Sequence, residues 1–177
     1  IPFNGKTPLI HPSAFIAPGC RIVGDVEIGE DASIWYNCVI RGDVNHVRIG
    51  ARTMIGNHSH IVVTKKVEFG EGVLTADRLF VSDNGHEFAD PTVPIRDQGL
   101  RQLAEVHIGD GSWIGENVCI SGASIGRNCV IASNSVVTRD IPDLCIAAGA
   151  PARIVKRYCH ERKAWRRTDA DGVVLEE

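Results

Sequence analysis

A chain of 177 residues with an ordinary apolar fraction and a net charge of -3 makes one domain with room for a sizeable core. That composition excludes a disordered or strongly basic class, so nucleic acid is not an expected partner. No apolar run approaches the roughly 18 residues of a membrane-spanning helix, and the opening IPFNGKTPLIHP lacks both a basic region and an apolar signal core, so a cytoplasmic protein without membrane insertion is expected.

Ile1 is not an initiator residue, which implies a processed amino end. Aliphatic residues then recur every six positions, at Ile10, Ile16 and Ile22, at Ile28, Ile34 and Ile40, and at Ile49, Ile55 and Ile61. The series resumes at Phe69, Thr75 and Val81, at Ile108, Ile114 and Ile120, and at Ile125, Ile131 and Val137. Small residues such as Ala14, Cys20, Ala32 and Cys38 follow four positions later. A hexapeptide period is that of a β-helix whose coils bury their apolar faces by stacking. The breaks in register, after Ile40, Ile61, Val81 and Ile120, always follow the third member of a group, so every insertion leaves at one corner. The expected fold is all-β, a left-handed parallel β-helix of about six triangular coils. Its domain spans 1–151 with an inserted loop at 82–107, and 152–177 forms a short C-terminal helix and tail. The six cysteines have no CxxC pair or zinc-like spacing, and Cys20, Cys38 and Cys129 hold small inward positions, so they read as reduced core residues.

The opening coils, HPSAFIAPGC and GDVEIGEDASIWYNCVIRGDVN, resemble the gamma-class carbonic anhydrases. That family binds zinc through three histidines shared between subunits, and a zinc-bound water attacks carbon dioxide. The matching positions here are Val62, Glu116 and Ser121, which do not rebuild such a site, and no metal is expected. His58 and His60 lie near the lost ligand but are displaced so as to leave from different faces or depths of the coil. Arg41 and Asp43 match residues that link subunits in that family.

From Phe69 onward, past the basic corner Thr64-Lys65-Lys66, the chain resembles the hexapeptide-repeat O-acetyltransferases. The 26 residues between Val81 and Ile108 are too long for an ordinary connection and read as a functional loop. It opens with Ser82-Asp83-Asn84-Gly85-His86. Acyl transfer to a hydroxyl needs a base for the hydroxyl proton, and histidine suits that work near neutrality. The resemblance assigns this role to His86, with Asn84 where many relatives carry a second histidine. Asp77, Asp83 and Glu87 either orient the imidazole or bind sugar hydroxyls, and the sequence does not choose among them. His58 falls where the galactoside enzymes have a polar substrate-binding residue, and Trp113 where a tryptophan packs beside the reacting groups. The segment DPTVPIRDQGL is implied to reach toward an adjacent subunit.

The closing run AGAPARIVKRY matches the acetyltransferases, with Arg153, Lys156 and Arg157 implied to start a helix facing coenzyme A phosphates. Ala132, Ser133 and Arg139 fall where the family lays the pantetheine arm. Trp113 is a cofactor contact on the same grounds. Beyond Trp165 the tail carries a possible short strand at Val173-Val174-Leu175. The implied activity is transfer of acetyl from acetyl-CoA to a hydroxyl of a sugar or nucleotide sugar, in a homotrimer with sites between subunits. Two alternatives are a metal-dependent lyase using His58, His60 or His86, and a non-catalytic trimeric scaffold.

Overall fold

The computed structural model describes residues 1–169 and 171–175. Its core is a parallel β-helix with three faces. Face A stacks Ile10, Ile28, Ile49, Phe69, Ile108, Ile125 and Ile141 in register. Face B stacks Ile16, Ile34, Ile55, Thr75, Ile114, Ile131 and Ala147. Face C stacks Ile22, Ile40, Ile61, Val81, Ile120 and Val137. From the second coil on these side chains are almost wholly shielded from solvent. Each isoleucine therefore buries nearly all of its apolar surface, about 1.5–3 kcal/mol apiece by transfer. Ile141 and Ala147 add a partial seventh coil to the six counted from the repeat.

The small inward position has a second duty. Thr53 Oγ1 donates to Gly70 O at 2.7 Å, Ser59 Oγ to Gly56 O at 2.8 Å, and Ser112 Oγ to Gly126 O at 2.8 Å. Cys38 and Cys129 use their thiols in the same way toward Gly56 O and Pro142 O, each at 3.0 Å. Buried corner carbonyls need donors, so Cys, Ser and Thr alternate with Ala at this position. All six cysteines are free, and burial pushes the Cys38 thiol up to about 11, which keeps it protonated.

The insertions do leave at one corner, between faces C and A. The shorter ones continue as strand, as in Val39–Ile49. The longest is an arm in which Asn84–His86 pairs antiparallel with Leu100–Gln102, with a 3-10 turn at Ile95–Asp97 between them.

The expected C-terminal helix is corrected. Arg153–Cys159 is a strand, antiparallel to Cys145–Ala148 and to Ala164–Arg167. The last coil offers an open sheet edge, and a hairpin laid on it satisfies those backbone groups and caps the solenoid. Ile154 packs against the core opposite Ala147, and a bulge at Val155 turns Lys156 outward opposite Ile146. In the tail, Val174 bridges to Thr168 and Leu175 N donates to Arg167 O.

Candidate functional site

The arm presents His86 on a two-stranded ribbon, exposed, its imidazole without a hydrogen-bond partner among the described residues. Its root is fixed by Asp83. That side chain is fully buried, and its carboxylate accepts from Thr64 N (2.7 Å), Thr64 Oγ1 (3.0 Å), Lys65 N (2.6 Å), Lys66 N (2.9 Å) and Asn84 Nδ2 (3.3 Å). Neither role expected of Asp83, orienting the imidazole or binding sugar hydroxyls, is among these bonds. Asp83 has no surface for a ligand and instead ties the Thr64-Lys65-Lys66 corner to the arm. Glu87 stays beside His86 at the arm's edge, its amide bonded to Gly99 O.

A second group of expected residues sits one corner away, between faces B and C. His58 is there in left-handed backbone (φ 56°), like Asn37, Arg78, Asn117 and Asn134 at the same position of neighbouring coils. Asp77 accepts from Asn57 N at 2.9 Å and from Asn57 Nδ2 at 3.0 Å, so it also ties two coils together. Ala132 and Ser133 occupy the same corner further along, where Ser133 Oγ accepts from Glu116 N. Trp113 stands on the outside of adjoining face B, half exposed, between Leu74 and Val130. One chain therefore does not bring His86 to His58, Asp77, Ser133 or Trp113, because the width of face C separates the two corners.

A third location gathers part of the basic set. Arg139 and Arg153 line one cleft of about 480 Å³ with Asp140, Ile141, Ile154 and Asp171, under the C-terminal hairpin. Lys156 is not in it. It projects from the hairpin's outer side opposite Ile146 and Arg167. The sequence reading missed Trp165 and Arg167, which folding of the hairpin brings beside Lys156.

The former zinc positions can be placed as well. Val62, Ser82 and Ser121 are neighbours on successive coils of face C, and Glu116 is ion-paired with Arg78 at the B–C corner. His60 faces outward on face C with its ring edge-on to Phe80 at 5.9 Å, while His58 lies at the corner, so the two point apart. Burial, reinforced by the Arg41 guanidinium, holds the His60 pKa below the usual histidine value.

The pattern of outward residues differs among faces. On face A it is mostly charged: Leu9, Glu27, Arg48, Glu68, His107, Ser124 and Asp140, with Arg48–Glu27 and His107–Glu68 contacts at 3.7 and 3.9 Å. On face B it is Phe15, Ser33, Met54, Leu74, Trp113, Val130 and Ile146, and on face C Arg21, Val39, His60, Phe80, Cys119 and Val136.

Comparison with known proteins follows these features. The family model for bacterial transferase hexapeptide, six repeats, matches residues 7–42 and 105–139. A probable acetyltransferase of Mycobacterium tuberculosis is 37% identical over 98% of this chain and 54% of its own length. Gamma carbonic anhydrase 1 of Arabidopsis thaliana mitochondria is 31% identical over 90% of this chain and 54% of its own. The chain thus spans about half the length of these relatives. Among solved structures, a maltose O-acetyltransferase from Clostridium difficile superposes with a TM-score of 0.58 at 27% identity, covering 86% of this chain and 69% of that one. The chain thus carries the hexapeptide repeat at residues 7–42 and 105–139 and is similar to acetyltransferases and to gamma carbonic anhydrases alike.

Proposed function

We propose that this hexapeptide-repeat chain is an acyltransferase moving acetyl from acetyl-CoA to a hydroxyl of a sugar or nucleotide sugar, with His86 as the general base. The carrying observation is His86 itself, an exposed imidazole free of internal bonds among the described residues, on an arm whose root a buried carboxylate fixes. A base must reach the proton it takes, and a rigid support keeps it there. Similarity to an acetyltransferase over 98% of the chain supports acyl transfer, and likeness to a maltose O-acetyltransferase supports a sugar hydroxyl.

The working site lies between subunits in this reading. His86 and Glu87 come from the C–A corner of one copy, and His58, Asp77, Trp113, Ala132 and Ser133 from the B–C corner and face B of its neighbour. Two of the three faces carry mostly apolar outer columns that a neighbour would cover, and the mostly charged face A is left to solvent, which fits a closed homotrimer. His86 takes the acceptor proton as the oxygen attacks the thioester carbonyl, and the proton then passes to the departing thiolate. Backbone amides near the last coils hold the oxyanion. Trp113, Ala132, Ser133 and Lys156 contact the donor, with Arg139 and Arg153 close by in their own cleft. An acetyl-CoA donor implies a cytoplasmic setting.

The test is coenzyme A release from acetyl-CoA against a panel of mono- and oligosaccharides. The reading expects acceptor-dependent release that is lost in His86→Ala. Release unaffected by that substitution would remove His86 from the role. The carbonic anhydrase alternative keeps the support of its relatives but loses two of its three ligand positions to Val62 and Ser121. Stoichiometric zinc with hydration activity would restore it.

A further inference from the structure

The corner between faces B and C keeps one rule in its first position and breaks it once. The residue after the inward residue of face B is Ala17, Trp35, Gly56, Ala76, Gly115 or Ala132, so a single indole stands in a column otherwise without large side chains. The next position is Pro18, Tyr36, Asn57, Asp77, Glu116 or Ser133, which sets the one phenol of that column beside the indole. Trp35 and Tyr36 are both exposed, with ring centroids 6.1 Å apart. Phe15, from the coil before, meets Trp35 edge to face at 5.8 Å. The three rings form a ledge at the first-coil end of the corner.

Exposed aromatic surface is commonly covered by another protein. Here the polar ends of the rings favour a different cover. Among the described residues neither the Trp35 indole N–H nor the Tyr36 hydroxyl has a hydrogen-bond partner. An apolar partner would strand both groups, whereas a sugar offers C–H faces to the rings and hydroxyls to their polar ends. A phosphate is poorly served at this corner. Arg78 is paired with Glu116, and Arg21 Nη1 donates to Gly19 O and Cys20 O at 3.3 and 3.1 Å. A nucleoside diphosphate calls for cations that are not already engaged, and a neutral pyranose does not.

The ledge also continues the column that holds His58 and Asp77. Tyr36 N donates to Asn57 Oδ1 at 3.1 Å, His58 N donates to Tyr36 O at 2.9 Å, and Asn57 Nδ2 donates to Asp77 at 3.0 Å. One coil rise of about 4.8 Å separates Tyr36 from Asn57, close to the length of one pyranose ring. Ala132 and Ser133 lie toward the other end of the same corner. With the donor at that end, an acceptor held at His58 extends away from it, toward Trp35. We propose that Trp35 and Tyr36 seat the second sugar ring of a glycan acceptor, which makes the substrate an oligosaccharide or the end of a polysaccharide rather than a single or nucleotide-linked sugar. The seat rests on the acyltransferase reading and adds two residues and a chain length to it.

The test pairs turnover with binding. Coenzyme A release from acetyl-CoA is measured with glucose, galactose, mannose and N-acetylglucosamine and with a linear trisaccharide of each, in the wild type and in W35A/Y36A. Alanine already serves at this corner in Ala17 and Ala76, so the coil has room for the first change. If the double variant does not fold, W35A alone must give the same result. Expected is a kcat/KM about tenfold higher on one trisaccharide than on its monosaccharide, carried by KM, with the ratio falling to near unity in the variant. That trisaccharide should quench tryptophan fluorescence in the wild type and much less in W35F. Turnover without a length preference, or an equal loss on both acceptors in the variant, overturns the seat and leaves the transferase reading standing. Quenching that W35F abolishes, with no turnover on any acceptor, removes the transferase reading and keeps a glycan seat. Neither turnover nor quenching removes both. Monomers of W35A/Y36A in light scattering where the wild type is a trimer would assign the ledge to the subunit contact, and dTMP quenching more strongly than every trisaccharide would assign it to a nucleotide; either result overturns the glycan seat.

Discussion

At the residue scale, the carboxylate and the imidazole at the start of the arm do opposite work although only two residues separate them. His86 is exposed and unbonded, while Asp83 is buried and fully engaged. His86→Ala should lower turnover by about two to four orders of magnitude, the usual span for a general base, while calorimetry shows acetyl-CoA affinity little changed. Asp83→Ala strands three backbone amides in a part-buried corner, at a cost of about 1–3 kcal/mol. Urea denaturation should show it, and an unshifted midpoint would contradict the structural role. Nothing local in SDNGH separates these roles, because burial of Asp83 depends on the Thr64 corner one coil back. His60 gives a pH signature. Its folded-state pKa lies below the unfolded value near 6.5, so both states are neutral above that value. As pH falls from there toward the folded pKa, the unfolded chain binds the proton first and stability is lost. His60→Gln should therefore lose less stability than wild type between pH 7.5 and 5.5 in parallel denaturation curves; equal losses would refute the assignment.

At the element scale, the coils were legible because each must place three large residues inside at fixed spacing, and a packed interior tolerates no substitute pattern. The C–A corner was legible for the converse reason, since insertions cost nothing where the chain already leaves the core. The terminal hairpin was not. Its basic residues read as a helix start, whereas the deciding influence was the open edge of Cys145–Ala148, a feature of the finished solenoid. Corner geometry supplies its own test at Gly24, which has φ +76° and whose added Cβ would stand 2.3 Å from Gly42 O. Gly24→Ala should destabilise by more than about 1 kcal/mol, read from the urea midpoint, and a neutral result would mean the first two coils are not stacked this tightly.

At the scale of the whole molecule, the division of site residues between two corners decides the account. The resemblance named most of the residues, but their separation by face C is visible only once the prism is built. If one site is assembled from two copies, two inactive chains can repair each other. Co-expressing His86→Ala with Trp113→Ala lets an intact His86 arm meet an intact Trp113 face at about a quarter of the interfaces of randomly mixed closed rings. The measurement is acetyl transfer by that mixture beside each variant alone, with particle mass by light scattering to confirm a trimer of 19.2 kDa chains. The account predicts that the mixture recovers activity toward about a quarter of wild type while both parents stay near background. A mixture no more active than its parents, in trimers shown to contain both chains, would contradict a site shared between subunits.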